Sequence, residues 1–142
     1  MKMNYVLAYY SRRGNTKKVA ETIAQELGIQ AFDVRANAPD VANADMLIIG
    51  SGTYGGKPGK EMVSFIQNLP VYSGKKAACF CTSAGGTEKA AETLRELLIG
   101  KGFSLVNGCF SCLGQWGWFS RRGHPAEDEL KQARDWAKKL KP

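Results

Sequence analysis

The chain has 142 residues, of which 44% are hydrophobic and 23% are charged, and these proportions suit one compact domain over residues 1–142 whose core needs neither metal nor disulfides. The apolar run Tyr5–Tyr10 is too short for a signal-peptide core and no run reaches the length of a membrane span, so we expect a soluble, cytoplasmic protein. The net charge of +7 permits an acidic partner, but the basic residues are scattered without regular aromatic residues between them, which argues against nucleic-acid binding.

Short apolar strands alternate with amphipathic helices along the chain. Strands are predicted at residues 5–10, 30–34, 46–49, 77–81 and 104–112. Each intervening helix carries apolar residues at spacings of three and four, and the last begins near Pro125, with acidic residues at its start and lysines at its end. This alternation predicts an α/β fold in which a doubly wound, five-stranded parallel sheet has helices on both faces. Such sheets bind ligands beyond the carboxyl ends of their strands.

The loop after the first strand has the composition of a phosphate site. It consists of Ser11, Arg12, Arg13, Gly14, Asn15 and Thr16, and a helix follows at once. Its glycine permits a close turn, its hydroxyl and amide groups form hydrogen bonds, and the first amides of a helix lack acceptors within the helix. The alternative is that Asn15 or Thr16 only caps the helix.

The segment after the third strand, GSGTYGGKPGK at residues 50–60, is predicted to be a flexible loop that presents one aromatic ring. It matches GxGxxG formally, but no helix begins at the third glycine, and Lys57 is followed by Pro58 instead of Ser or Thr. Neither a dinucleotide fingerprint nor a P-loop is therefore expected. Tyr54 either stacks on a planar ligand, which we favour, or folds back onto the core. The candidate binding residues here are Gly52, Thr53, Tyr54, Gly55 and Gly56.

The segment after the fourth strand is again small and rich in backbone donors. Its candidate binding residues are Thr82, Ser83, Ala84, Gly85 and Gly86. Three strand-end loops thus meet at one edge of the predicted sheet. None of them offers a nucleophile with a base, paired carboxylates or a histidine cluster, so we expect no catalytic residues and no metal site.

The four cysteines are expected to be buried, reduced thiols. Cys79, Cys81, Cys109 and Cys112 lie in apolar, strand-like segments rather than in turns. Ligands of metal or iron–sulfur clusters normally come from loops, which argues against such a cluster.

In the order of these loops the sequence resembles the flavodoxin family, and in particular its short-chain members. The phosphate loop of that family reads approximately S/T-x-T-G-x-T, which residues 11–16 match except that Arg13 replaces the central threonine. Its second loop commonly reads T-W-G or T-Y-G, which residues 53–55 match. The resemblance covers essentially the whole chain and implies a sheet of order 2-1-3-4-5 that binds FMN. It further implies an electron-transfer protein that shuttles single electrons to or from a redox partner protein.

Three features depart from the family pattern. Arg13 brings charge into the phosphate loop, the third loop lacks the aromatic ring that many flavodoxins place against the outer flavin face, and the chain is basic where carrier flavodoxins are acidic. Trp116 is the candidate replacement for the missing ring, its alternative being packing under the last helix, and His124 is interpreted mainly as a helix cap. Basic residues near the strand ends predict an acidic docking surface on the partner: Arg12, Arg13, Lys57, Lys60, Arg121 and Arg122.

Two other functions fit the same residues. One is a small FMN-dependent NAD(P)H reductase, and the other is a flavodoxin-like interaction module that has lost its flavin. The resemblance favours a redox carrier over an oxidoreductase that turns over a substrate. Bleaching of a bound flavin by NADH or NADPH without added protein would identify the reductase, and failure to take up FMN would identify the interaction module.

Overall fold

A computed structural model describes residues 3–36, 39–83, 89–106, 110–113 and 127–142 of the chain. The elements within these ranges follow in the order β1 (Tyr5–Tyr10), α1 (Asn15–Leu27), β2 (Ala31–Asp33), β3 (Met46–Tyr54), β4 (Lys57–Pro58), α2 (Lys60–Gln67), β5 (Lys76–Ser83), α3 (Lys89–Gly100), β6 (Ser104–Leu105), β7 (Phe110–Leu113) and α4 (Glu127–Lys138). Strands and helices therefore alternate as the sequence predicts.

The parallel strands form one sheet in the order β2-β1-β3-β5-β6, and β7 also pairs in parallel with β5. Because β6 and β7 together hold the fifth place, the predicted order 2-1-3-4-5 and the doubly wound fold are confirmed. Ala77 of β5 pairs with Leu105, and Phe80 of β5 pairs with Phe110. The chain advances by three residues along β5 but by five along its partner, so the register on this edge shifts by two residues. The predicted strand 104–112 is thus described in two segments, and residues 107–109 lie outside the described residues.

Helices cover both faces of the sheet. The helices α1 and α4 pack on one face, where Ile23 and Trp136 belong to the same buried cluster as Leu7 of β1. The helices α2 and α3 pack on the other face, and Met62 and other residues of this pair join a cluster that includes Ala8 of β1. Successive strand residues point to opposite faces, which is why neighbours on β1 enter different clusters.

The strand β3 continues through glycine residues where the sequence predicts a flexible loop, and that prediction is wrong. Gly50 pairs with β1 and with β5, and Gly52 still pairs with β5, so ladder hydrogen bonds hold this segment. A Cβ atom at Gly50 would lie 2.0 Å from the ring of Phe80, so the strand needs glycine there. The turn that follows β3 contains Gly55 and Gly56, with φ angles of 62° and 80°, and leads into the antiparallel β4.

The strand β5 also runs further than predicted, to Ser83, so Thr82 and Ser83 belong to the strand and not to a loop. Cys79 and Cys81 of this strand are buried on the face covered by α3, as expected, and Cys81 packs against the first turn of that helix. Cys109 and the side chain of Cys112 lie outside the described residues. Among the residues that are described, no helix is long and apolar enough to cross a membrane.

Candidate functional site

The loop between β1 and α1 leaves the start of the helix without a side-chain cap. Gly14 is the N-cap residue, with a left-handed φ of 94°, and no side-chain hydrogen bond caps the helix at this position. Asn15 and Thr16 are the first two residues of α1, so the alternative that one of them is its cap is wrong. The first turn contains no acidic residue. The leading amides, which have no acceptors within the helix, therefore lie at its positive end with no acidic side chain in the first turn.

Ser11 fixes the turn of this loop. Its side chain is buried, and its Oγ accepts the N–H of Gly14 at 3.0 Å. The Ser11 hydroxyl thus supplies an acceptor for the N–H of Gly14. The loop keeps its shape through this hydrogen bond between residues three positions apart.

Thr16 links the start of α1 to the carboxyl end of β5. Its side chain is 1% exposed, and its Oγ1 lies 2.8 Å from Oγ1 of Thr82, which is 4% exposed. Thr82 pairs in the sheet with Gly52 of β3. The three predicted segments thus meet at one edge of the sheet.

The end of β3 carries a buried hydroxyl group that lacks a partner. The Oγ1 atom of Thr53 is buried, and no hydrogen bond reaches it from the described part of the chain. A buried hydroxyl without a partner costs free energy, so a bound ligand that forms a hydrogen bond with it would stabilise the fold. The preceding residue, Gly52, faces the other side of the strand, where an added Cβ atom would lie 3.4 Å from Oγ1 of Thr16 and closer still to the Tyr54 side chain.

Tyr54 is folded back against the phosphate loop in this structure. Its ring lies edge-on to Tyr10, with centroids 5.8 Å apart, and the guanidinium of Arg12 lies 4.2 Å from its centroid. Its hydroxyl accepts the backbone N–H of Arg12 at 3.0 Å. Burial is the main cause of a raised pKa for this phenol, which therefore stays protonated at neutral pH.

Arg35 reaches the same loop from the end of β2, and no sequence motif indicates it. Its Nη2 donates to the carbonyl oxygen of Ser11 at 3.1 Å and to Oδ2 of Asp33 at 2.8 Å. The side-chain hydrogen bonds between Arg35 and Asp33 are the main cause of a lowered pKa for Asp33 and a raised pKa for Arg35. The one available signal was its position, because residues after any parallel strand can reach this edge of the sheet.

Comparisons with known proteins agree with this geometry. The model of a family described as the flavodoxin domain matches residues 6–107. The chain belongs to the flavodoxin family. It is 35% identical over 136 residues to an uncharacterised protein of Methanocaldococcus jannaschii, with 89% of each chain covered. It is 31% identical over 109 residues to a flavodoxin of Clostridium beijerinckii, with 70% of this chain and 79% of that protein covered.

A solved structure shares the flavodoxin fold over nearly the whole length. It is a Fusobacterium nucleatum flavodoxin bound to flavin mononucleotide, with a TM-score of 0.74, 15% identity, and coverage of 98% of this chain and 97% of that one. At this identity the similarity shows the fold alone.

The remaining candidate residues of this flavodoxin-family chain are distributed as follows. Arg12 and Arg13 are exposed on the phosphate loop, and Gly55 and Gly56 form the turn after β3. Ser83 is the last residue of β5, and its side chain is not described. The other predicted residues lie outside the described ranges, namely Ala84, Gly85, Gly86, Trp116, Arg121, Arg122 and His124.

Proposed function

We propose that this chain is an FMN-binding electron-transfer protein that carries electrons to or from a redox partner protein. The observation that carries the proposal is the start of α1, where the N-cap residue Gly14 makes no side-chain cap hydrogen bond, the first turn holds no acidic residue, and the hydroxyl of Thr16 is buried. An anion of phosphate size would supply acceptors for the amides. Membership of the flavodoxin family, whose cofactor is FMN, supports the same assignment.

The residues present fit such a cofactor. The phosphate group of FMN would be held by the loop of residues 11–16, with Gly14 permitting close approach of the backbone. The flavin ring would lie toward Tyr54, which we expect to leave Tyr10 and stack on it. When bound, FMN would supply the electron chemistry, while the protein supplies binding, orientation and charge.

We also propose that the partner presents an acidic surface and that both proteins work in the cytoplasm. The exposed residues at this edge in the described part of the chain include the basic residues Arg12, Arg13, Lys57 and Lys60. The exposed acid Glu61 lies among them. The excess of positive charge would steer an acidic protein to the edge and repel a basic one.

The cofactor assignment is tested by comparing two flavins that differ in the phosphate group. Hydrogen bonds to charged groups contribute about 1.5 to 3 kcal/mol, so Ser11→Ala or Thr16→Ala should weaken FMN binding about tenfold or more and weaken riboflavin much less. The matched control is Thr22→Ala, because Thr22 also lies on α1 but its hydroxyl donates to the carbonyl oxygen of Lys18 on the exposed side. Equal losses for FMN and riboflavin would contradict the assignment, as would a colourless purified protein that takes up neither flavin.

The partner's charge is tested by charge reversal at the edge. Lys57→Glu combined with Lys60→Glu should slow electron transfer from a reduced acidic ferredoxin used as a probe, and added salt should slow the wild type toward the same rate. The control is Lys76→Glu combined with Lys131→Glu, which changes the net charge equally at exposed positions, one of them at the opposite end of β5. If both double variants slow the reaction equally, the edge has no special role in docking.

A further inference from the structure

One peptide group of the phosphate loop is held from both sides. The carbonyl oxygen of Ser11 and the N–H of Arg12 belong to the same planar, trans peptide, and they therefore point in opposite directions. The carbonyl oxygen accepts a hydrogen bond from Nη2 of Arg35 at 3.1 Å. The N–H donates to the hydroxyl of Tyr54 at 3.0 Å. Arg35 and Tyr54 thus lie on opposite sides of this peptide.

The guanidinium of Arg35 is fixed to the sheet by Asp33. Its Nη2 and Nε atoms donate to the two carboxylate oxygens of Asp33 at 2.8 and 3.1 Å, and the backbone N–H of Arg35 donates to the same carboxylate at 2.9 Å. Asp33 is the last residue of β2, paired in register with Tyr9 of β1. The arginine therefore reaches Ser11 from a rigid support.

The hydrogen-bond geometry of the Arg35 guanidinium matters more at this site than its charge. Its side chain is 47% exposed, so solvent and salt screen its attraction for a distant anion. Its fork, by contrast, bonds a carboxylate and a backbone carbonyl at the same time, which the single ammonium of a lysine cannot match in geometry.

We propose that Arg35, held by Asp33, is a positioning residue for the phosphate group of the cofactor. By holding the carbonyl of Ser11, it directs the N–H of Arg12 toward the bound phosphate. In the present conformation the Tyr54 hydroxyl takes the hydrogen bond that a phosphate oxygen takes in the complex. This inference rests on the proposed function, because it assigns a residue to the same site.

The test compares charge with geometry at position 35 in the purified apoprotein. The variants are Arg35→Lys, which keeps the charge, Arg35→Met, which removes it, and Asp33→Asn, which removes the support. The control is Arg95→Lys, a change of the same kind at an exposed residue of α3. Dissociation constants for FMN and riboflavin are measured by flavin fluorescence, and the melting temperature of each apoprotein is recorded.

We expect Arg35→Lys and Arg35→Met to weaken FMN by similar factors of about ten, the equivalent of about 1.4 kcal/mol, with riboflavin changed less than about twofold. Asp33→Asn should act in the same direction, and Arg95→Lys should change nothing. In ¹H–¹⁵N spectra of the wild type, inorganic phosphate should shift the Arg12 amide resonance, and Arg35→Lys should reduce that shift. A general structural role would not move this resonance selectively.

Two results would overturn the inference alone. If Arg35→Lys binds FMN like the wild type while Arg35→Met does not, Arg35 acts only through its charge. If the variants weaken FMN and riboflavin equally, together with a lowered melting temperature, Arg35 supports the fold and not the phosphate. A wild type that binds neither FMN nor inorganic phosphate would instead overturn the proposed function, and the inference with it.

Discussion

Removing only the hydroxyl group of Tyr54 should change the stability of the apoprotein and its affinity for FMN in opposite directions. In this structure the hydroxyl accepts the N–H of Arg12 at 3.0 Å, and Tyr54→Phe removes that bond while keeping the ring beside Tyr10 and under the Arg12 guanidinium. In the proposed complex the same N–H binds a phosphate oxygen, so there the variant loses nothing. Destabilising the free state alone makes binding tighter.

The size of the effect follows from one hydrogen bond. A typical intramolecular hydrogen bond contributes about 0.5 to 1.5 kcal/mol net, and Tyr54 is only partly buried. Tyr54→Phe should therefore lower the free energy of unfolding of the apoprotein by up to about 1 kcal/mol. It should tighten FMN by the same free energy, which is about fivefold at most.

Urea unfolding of the apoprotein and fluorescence titration with FMN measure the two quantities. The matched control is Tyr5→Phe, because the Tyr5 hydroxyl donates to the carbonyl oxygen of Leu140 at 3.1 Å and lies next to the end of α4. This control should lose similar stability with no change in FMN affinity. If Tyr54→Phe loses stability and binds FMN no better than the wild type, the hydroxyl does not occupy the place of a phosphate oxygen.

Three further outcomes are expected. Thr16→Val and Thr82→Val should each lower the free energy of unfolding by about 1 to 3 kcal/mol, because each leaves the other buried hydroxyl unpaired. The double variant should lose clearly less stability than the sum of the two single losses, and additive losses would contradict the coupling. Tyr54→Ala should lose on the order of 1 kcal/mol of flavin binding and relieve flavin fluorescence quenching, whereas a lowered apoprotein melting temperature alone would indicate a core role. Hydrogen bonds from Arg35 lower the pKa of Asp33 below 3.8. The Asp33 carboxylate therefore contributes stability above pH 3.8, and this contribution is lost as the pH falls through the pKa of the folded state. In urea unfolding, the stability difference between the wild type and Asp33→Asn should therefore be constant near neutral pH and shrink below about pH 4, and a difference that stays constant under acid would show that the ion pair is not its source.

The sequence alone was enough to predict the fold and to single out residues 11–16 as a candidate phosphate loop, because both inferences depend on local chemistry. The spacing of apolar residues distinguishes a strand from a helix. Alternation of strands and helices along the chain leaves few topologies beyond a doubly wound parallel sheet. The phosphate loop is continuous in sequence, so its hydroxyls and Gly14 could be recognised as a group. The buried thiols of Cys79 and Cys81 were predicted for the same reason, since they lie in the apolar run of residues 77–81.

Strand ends were predicted less well, because they depend on neighbours. A segment of Gly50, Ser51 and Gly52 has little intrinsic preference for extended structure, but its backbone lies between two other strands, and the ladder bonds decide its conformation. The need for glycine at position 50 arises from the ring of Phe80, thirty residues away.

Only the tertiary structure decided how the site is assembled. The hydrogen bonds that shape it join residues far apart in sequence: Arg35 lies 24 positions from Ser11, Tyr54 lies 42 from Arg12, and Thr82 lies 66 from Thr16. No periodicity or local motif records such pairs, because each bond exists only after the strands have docked in their order. The sequence thus indicated which loop is the candidate anion site, and the docking of β2, β3 and β5 beside it determined which side chains hold that loop in place.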